Sequence, residues 1–115
     1  MIVTIRNLAE ASLQDVFNTV KNHLLKQDQK ARESSICRYF TSEGLKCAAG
    51  CLIPEEYYNK KMEGYSWRDT VKVFKFPIQH KKEIQELQEI HDHTEVCDWR
   101  ERLEFFAKRH NLVFQ

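Results

Sequence analysis

Apolar and polar residues recur with the period of a helix over much of this chain, and with the period of a strand in short stretches only. Leu13, Val16, Phe17, Val20 and Leu24 follow one another at three- and four-residue spacing, with Asn18, Lys21, Asn22 and Gln29 on the other side. This spacing predicts an amphipathic helix from Leu13 to Lys26. Ser12 stands as its N-cap, with Asp15 three residues on in the capping-box position. Ahead of it, Ile2 to Ile5 is short, β-branched and alternating, which predicts a first strand.

The polar run from Lys26 to Ser35 reads as a loop, and Ile36 to Phe40 as a strand. Thr41-Ser42-Glu43-Gly44 has turn chemistry, with Gly44 where a positive φ is needed. Leu45-Lys46-Cys47 then returns as a short antiparallel partner. Ala48 to Ile53 is small and apolar and stops at Pro54, as expected of a short buried helix packed close to neighbouring backbone. Pro54 to Tyr58 starts another helical turn with Pro near its first position.

Gly64 breaks the chain, and Ser66 with Asp69 repeats the capping pattern. Val71 to Phe76 fits neither period and ends at Pro77. From His80 to Asp92 the pattern is helical, with Ile84, Leu87 and His91 on one face. Asp98 with Glu101 is a third capping signature, ahead of a helix striped by Trp99, Leu103, Phe106 and His110. Asn111 is a left-handed stop with Leu112 folding back. The expected architecture is a single α+β domain, helix-dominant, with about three amphipathic helices packed on a small β-hairpin or short sheet.

Composition narrows the classes of function. The 115 residues are 42% hydrophobic and 30% charged, with 3 Gly and 2 Pro, which suits one globular domain and excludes long flexible linkers. The charge balance of 18 Lys and Arg against 17 Asp and Glu gives no support to nucleic-acid binding. The longest apolar run, Cys47 to Ile53, is far short of the roughly 20 residues of a membrane span. The first residues lack the pattern of a secretion signal, so the expected location is the cytoplasm, with Cys37, Cys47, Cys51 and Cys97 as thiols.

Several groups of residues bear candidate chemistry. Cys37, Cys47 and Cys51, with Cys97 or one of His80, His91 and His93, form a candidate zinc set. Thiolates and imidazoles converging from four positions are what tetrahedral zinc requires, but the paired Cys-x-x-Cys knuckles are missing, and free Cys is commonly a small core residue. Cys47 is also a candidate nucleophile, since it follows Lys46 and opens a predicted helix, with His23 or His91 as base. Both histidines sit on apolar stripes, and no oxyanion hole is marked.

The stretch Gly44 to Gly50 lacks the order of a phosphate loop. Glu83, Glu86, Glu89, Asp92, Glu95 and Asp98 run without an intervening Lys or Arg. Such a row can imitate DNA phosphates, though a solvated helix face is the favoured reading. Tyr57, Tyr58, Tyr65 and Trp67, beside Lys60, Lys61 and Arg68, are candidate partner-binding anchors or caps on the core, in near balance. No catalytic residue is assigned.

The chain resembles a set of small uncharacterised proteins found in bacteriophages, prophages and bacterial genomes. The resemblance is carried by Val16-Phe17 to His23-Leu24-Leu25, Cys37-Arg38-Tyr39, the run from Gly44 to Pro54 (GLKCAAGCLIP), and Met62-Glu63-Gly64. Leu87 to Asp92 and Trp99 to His110 look similar too, so that it spans nearly the whole chain. It implies a mobile-element context and supplies no chemistry. The function expected is that of a non-enzymatic interaction protein, a phage accessory factor that binds and modulates a host protein. No cofactor is expected. The alternative is a metal- or small-ligand-binding module centred on Cys37, Cys47 and Cys51, with zinc as the candidate ion. A cysteine-dependent enzyme ranks third.

Overall fold

The computed structural model describes residues 1–115. Its helices are α1 (Leu13–Gln27), α2 (Trp67–Phe74), α3 (Lys81–His93) and α4 (Trp99–Arg109). The sheet has two short antiparallel strands, β1 (Arg32–Glu33) and β2 (Ile36–Cys37), with Arg32 opposite Cys37 and Glu33 opposite Ile36. The fold is therefore α+β and helix-dominant, as the periodicity predicts, with four helices where three are expected.

Local chemistry explains most of the helix starts and stops. Ser12 and Ser66 each accept the backbone N–H three residues on, from Asp15 at 3.1 Å and Asp69 at 3.2 Å. The third capping signature does not act as one. Asp98 makes no side-chain cap, because a single 3-10 turn, Val96–Asp98, leads directly into α4. Asn111 adopts φ 57°, and the Leu112 N–H returns to the Ala107 carbonyl at 2.7 Å, closing α4 as expected.

Ile2 to Ile5 is not a strand. Val3 and Ile5 are buried and Ile2 is exposed, so the alternation is real, but no neighbouring strand answers it. The Val3 N–H donates to Thr19 Oγ1 at 3.0 Å, and the Ile5 N–H to the Leu52 carbonyl at 2.8 Å. The segment is thus laid on α1 and on the 3-10 turn Gly50–Leu52, which stands in place of the expected short helix.

Of the expected hairpin between 36–40 and 45–47 only one bridge forms, Phe40 to Lys46 across the predicted turn, where Gly44 has φ 88°. β2 pairs instead with β1, which lies in the stretch expected to be a loop. Gly50 is required by packing. A Cβ there would lie 2.3 Å from the Tyr39 carbonyl oxygen.

One core joins these pieces. Phe17 of α1 stacks on Phe106 of α4 at 5.5 Å between ring centroids. Trp67 and Trp99 are fully buried in the same cluster. The C-terminal residues are tied back to α1: the Gln14 side chain pairs with both backbone groups of Val113, and Lys21 Nζ donates to the Gln115 carbonyl. No helix is long and apolar enough to cross a membrane.

Candidate functional site

The side chains singled out in the sequence do not converge on one place. His91 is buried on the inner face of α3, beside Trp99. Its Nε2 accepts the Ala31 N–H at 3.0 Å, and a backbone N–H can only donate. The ring proton therefore sits on Nδ1, which donates to Asp92 Oδ1 at 2.7 Å. Gln88 Nε2 donates to the same oxygen at 2.8 Å, while Gln88 Oε1 accepts the Ala49 N–H at 2.8 Å. One turn of α3 thus holds both the loop before β1 and the apolar turn that follows Cys47.

Cys37 completes a cluster here: one ligand atom each from Cys37, His91 and Asp92 lies within 4.8 Å of the others. The expected zinc set of Cys37, Cys47, Cys51 and Cys97 does not form such a cluster, and Cys97 is exposed while Cys47 is buried. A metal at Cys37 and Asp92 would need His91 Nδ1. The imidazole proton would then move to Nε2, where it would face the Ala31 N–H. The donor types fit zinc, and the hydrogen-bond partners of His91 oppose it.

Cys47 does not have the environment of a nucleophile. Its Sγ accepts the Gly50 N–H at 3.2 Å, but complete burial outweighs that bond and pushes the thiol well above its ordinary range. Burial likewise pushes Cys51 up to about 12, and its Sγ donates to the Ala48 carbonyl. Cys37 is raised by burial first and by the Asp92 carboxylate second. The histidines expected as bases are engaged elsewhere. His23 Nε2 donates to the Lys46 carbonyl at 2.8 Å, and both nitrogens of His91 are bonded as described.

The aromatic anchors separate as well. Trp67, with its ring tilted against Phe76, has no exposed surface and belongs to the core, not to an interface. Tyr58 stacks on Phe40 at 4.3 Å and donates to Glu63 Oε2, and the same carboxylate is held by the Tyr39 N–H at Oε1 and the Phe40 N–H at Oε2. Burial and the Glu63 carboxylate push Tyr58 up to about 12. Tyr57 is exposed under the Arg6 guanidinium. Tyr65 and Arg68 are exposed beside α3. Only these last two anchors share a surface.

That surface is a run of three adjoining hollows along α3. The first, of about 290 Å³, is lined by Cys37, Tyr65, Gln85, Glu89 and Asp92 among others. The second, of about 430 Å³, shares Gln85 and Glu89 with it and adds Arg68, Lys81 and Lys82. The third, of about 380 Å³, shares Arg68 and Lys81 with the second and adds Val71, Lys72 and Ile78. Ile78 is 67% exposed.

Sequence reasoning named Tyr65 and Arg68 but missed Gln85, Ile78, Lys81 and Lys82. The change of charge sign along the α3 sequence, from Lys81-Lys82 to Glu89 and Asp92, was the available signal. A further hollow of about 520 Å³ lies beside α1, lined by His23, Lys26, Lys46 and Cys51 among others.

Comparison of the chain with protein-family models, with curated proteins and with solved structures found no match.

Proposed function

We propose that this chain is a non-enzymatic interaction protein, an accessory factor of a mobile element that binds and modulates a host protein through the groove along α3. One observation carries the reading: three hollows that share lining residues adjoin along α3, with Tyr65 exposed in the first and Ile78 in the third. Concave surface rich in charged side chains, with single apolar side chains exposed at each end, suits a polar interface of modest size. Cys37, Cys47 and Cys51 are raised and His23 and His91 are engaged, which gives the cysteine-enzyme reading no support at Cys47.

The test is photo-crosslinking from position 85 in bacterial lysate, followed by mass spectrometry. A discrete host protein should be captured, and Arg68→Glu or Ile78→Asp should abolish the capture. Capture that is absent, or indifferent to both substitutions, would sink the reading.

The Cys37–His91–Asp92 cluster favours a second reading, a metal-binding module. Native mass spectrometry of protein purified without chelator decides it: a zinc-sized mass increment that Cys37→Ser removes would support it, and a bare mass would not.

A further inference from the structure

Charge changes sign along the groove: the third hollow has Arg68, Lys72 and Lys81 against Asp69, the second has Arg68, Lys81 and Lys82 against Glu89 and an Arg109-paired Glu86, and the first has Glu63, Glu89 and Asp92 against Arg38. Lys81 and Lys82 stand in the first turn of α3 beside Glu83, and Asp92 stands in the last turn between His91 and His93. The positive end of the helix dipole lies at the amino terminus, so cations are disfavoured there and carboxylates are disfavoured at the other end. Neither Arg68, Lys72, Lys81, Lys82 nor Glu89 takes part in an ion pair within the chain. The Asp92 carboxylate accepts from His91 and Gln88 and has no Lys or Arg partner, while Lys30 reaches its backbone carbonyl. Lys81 and Lys82, held against the dipole, and Arg68 and Glu89 are thus left unpaired, as expected of groups that function needs.

Resting on the docking role proposed above, we infer that the groove selects an extended segment of the partner by charge order. An acidic side chain of that segment meets the Arg68–Lys81–Lys82 end, and a basic one meets the Glu89–Asp92 end. Hollows that adjoin one another in a line suit an extended chain whose alternate side chains enter successive cups. From residue 81 to residue 92 the helix rises roughly 16 Å at about 1.5 Å per residue. At about 3.3 Å per residue, an extended segment covers this in about five residues, so the opposite charges sit about four positions apart once side-chain reach is counted. The exposed Ile78 beyond the cationic end takes an apolar residue on the acidic side of the segment.

The experiment is selection of random peptides displayed on phage against the purified protein, followed by binding of the enriched peptides in solution. The enriched set should carry one acidic and one basic residue at that spacing. Arg68→Glu and Glu89→Lys should each weaken a selected peptide about ten-fold, and reversing the matching charge in the peptide should restore binding. Lys82→Glu should weaken binding while raising Tm, since it agrees with the helix dipole.

Enriched peptides that depend on Arg68 but show no charge pair would overturn the ordering and leave the docking groove standing. Peptides that bind the wild type and all three variants equally would place binding elsewhere and overturn both readings. No enrichment at all would overturn the peptide preference, and the crosslinking from position 85 then judges the groove alone.

Discussion

The backbone N–H of Ala31 donates to His91 Nε2 at 3.0 Å, joining two residues 60 positions apart in the middle of the fold. His91 has no exposed surface, so removing its ring strands a buried donor and opens a cavity at once. His91→Ala is expected to cost about 3 kcal/mol, from the unsatisfied N–H together with lost packing on Trp99. Urea denaturation measures this directly. A loss below about 1 kcal/mol would mean that the Ala31 bond is not formed in solution.

Gly50 has a different structural duty. The Tyr39 carbonyl accepts the Cys47 N–H at 3.2 Å and lies where a side chain on Gly50 would project, with a Cβ only 2.3 Å from that oxygen. That oxygen belongs to backbone and is tied to the Cys47 N–H, next to the Phe40–Lys46 bridge. Gly50→Ala should therefore destabilise by about 2 kcal/mol or more, as overpacking against rigid backbone does. Gly44→Ala is the control, because its Cβ meets nothing within 4 Å and only the φ of 88° is strained. It should cost about 1 kcal/mol, and thermal unfolding of the pair should rank them in that order.

How far the sequence reveals these features depends on the range over which each is determined. The caps at Ser12 and Ser66 and the stop at Asn111 are settled within a few residues, so they are legible. Val71 to Phe76 is not, because the face that α2 buries begins earlier, at Trp67, and continues through Thr70 and Val71. Lys75 then turns left-handed at φ 58° and brings Phe76 back to the core, out of helical phase. Ile2 to Ile5 misleads for the opposite reason. Its alternation is genuine, but α1 and the turn at Leu52 answer its N–H groups, and a periodicity cannot say what lies opposite. The groove was half visible. Tyr65 and Arg68 could be named, whereas the hollows depend on how α2 meets α3.

Thiol chemistry separates the interaction reading from the cysteine-enzyme reading. The thiolate is the reactive form, so burial that raises a thiol suppresses reaction twice, through ionisation and through access. Cys97 is exposed, Cys37 and Cys51 are partly buried, and Cys47 is fully enclosed. With a disulfide reagent at neutral pH, Cys97 should react first and Cys37 more slowly. Cys51, partly exposed but pushed up to about 12, should react more slowly still, and Cys47 only as the protein unfolds. Mass mapping of the labelled sites checks the order, and a fast Cys47 would revive the enzyme.

His23 should leave a signature in the pH dependence of stability. Desolvation is the largest influence lowering it below its ordinary 6.5, with further lowering from Lys46 and His91 opposed by its bond to the Lys46 carbonyl. A histidine lowered in the folded state takes up its proton more readily in the unfolded chain. Its contribution is therefore neutral at high pH and turns destabilising as pH falls through 6.5, levelling off only below the depressed folded value. His23→Gln keeps an N–H donor for the Lys46 carbonyl and removes the titration. The difference in unfolding free energy between wild type and His23→Gln should be constant above neutrality. It should shift in favour of the variant as pH falls from about 7 towards 5. Urea melts at matched ionic strength resolve this, and a difference that stays flat across that range would show that the ring is solvated in the folded protein.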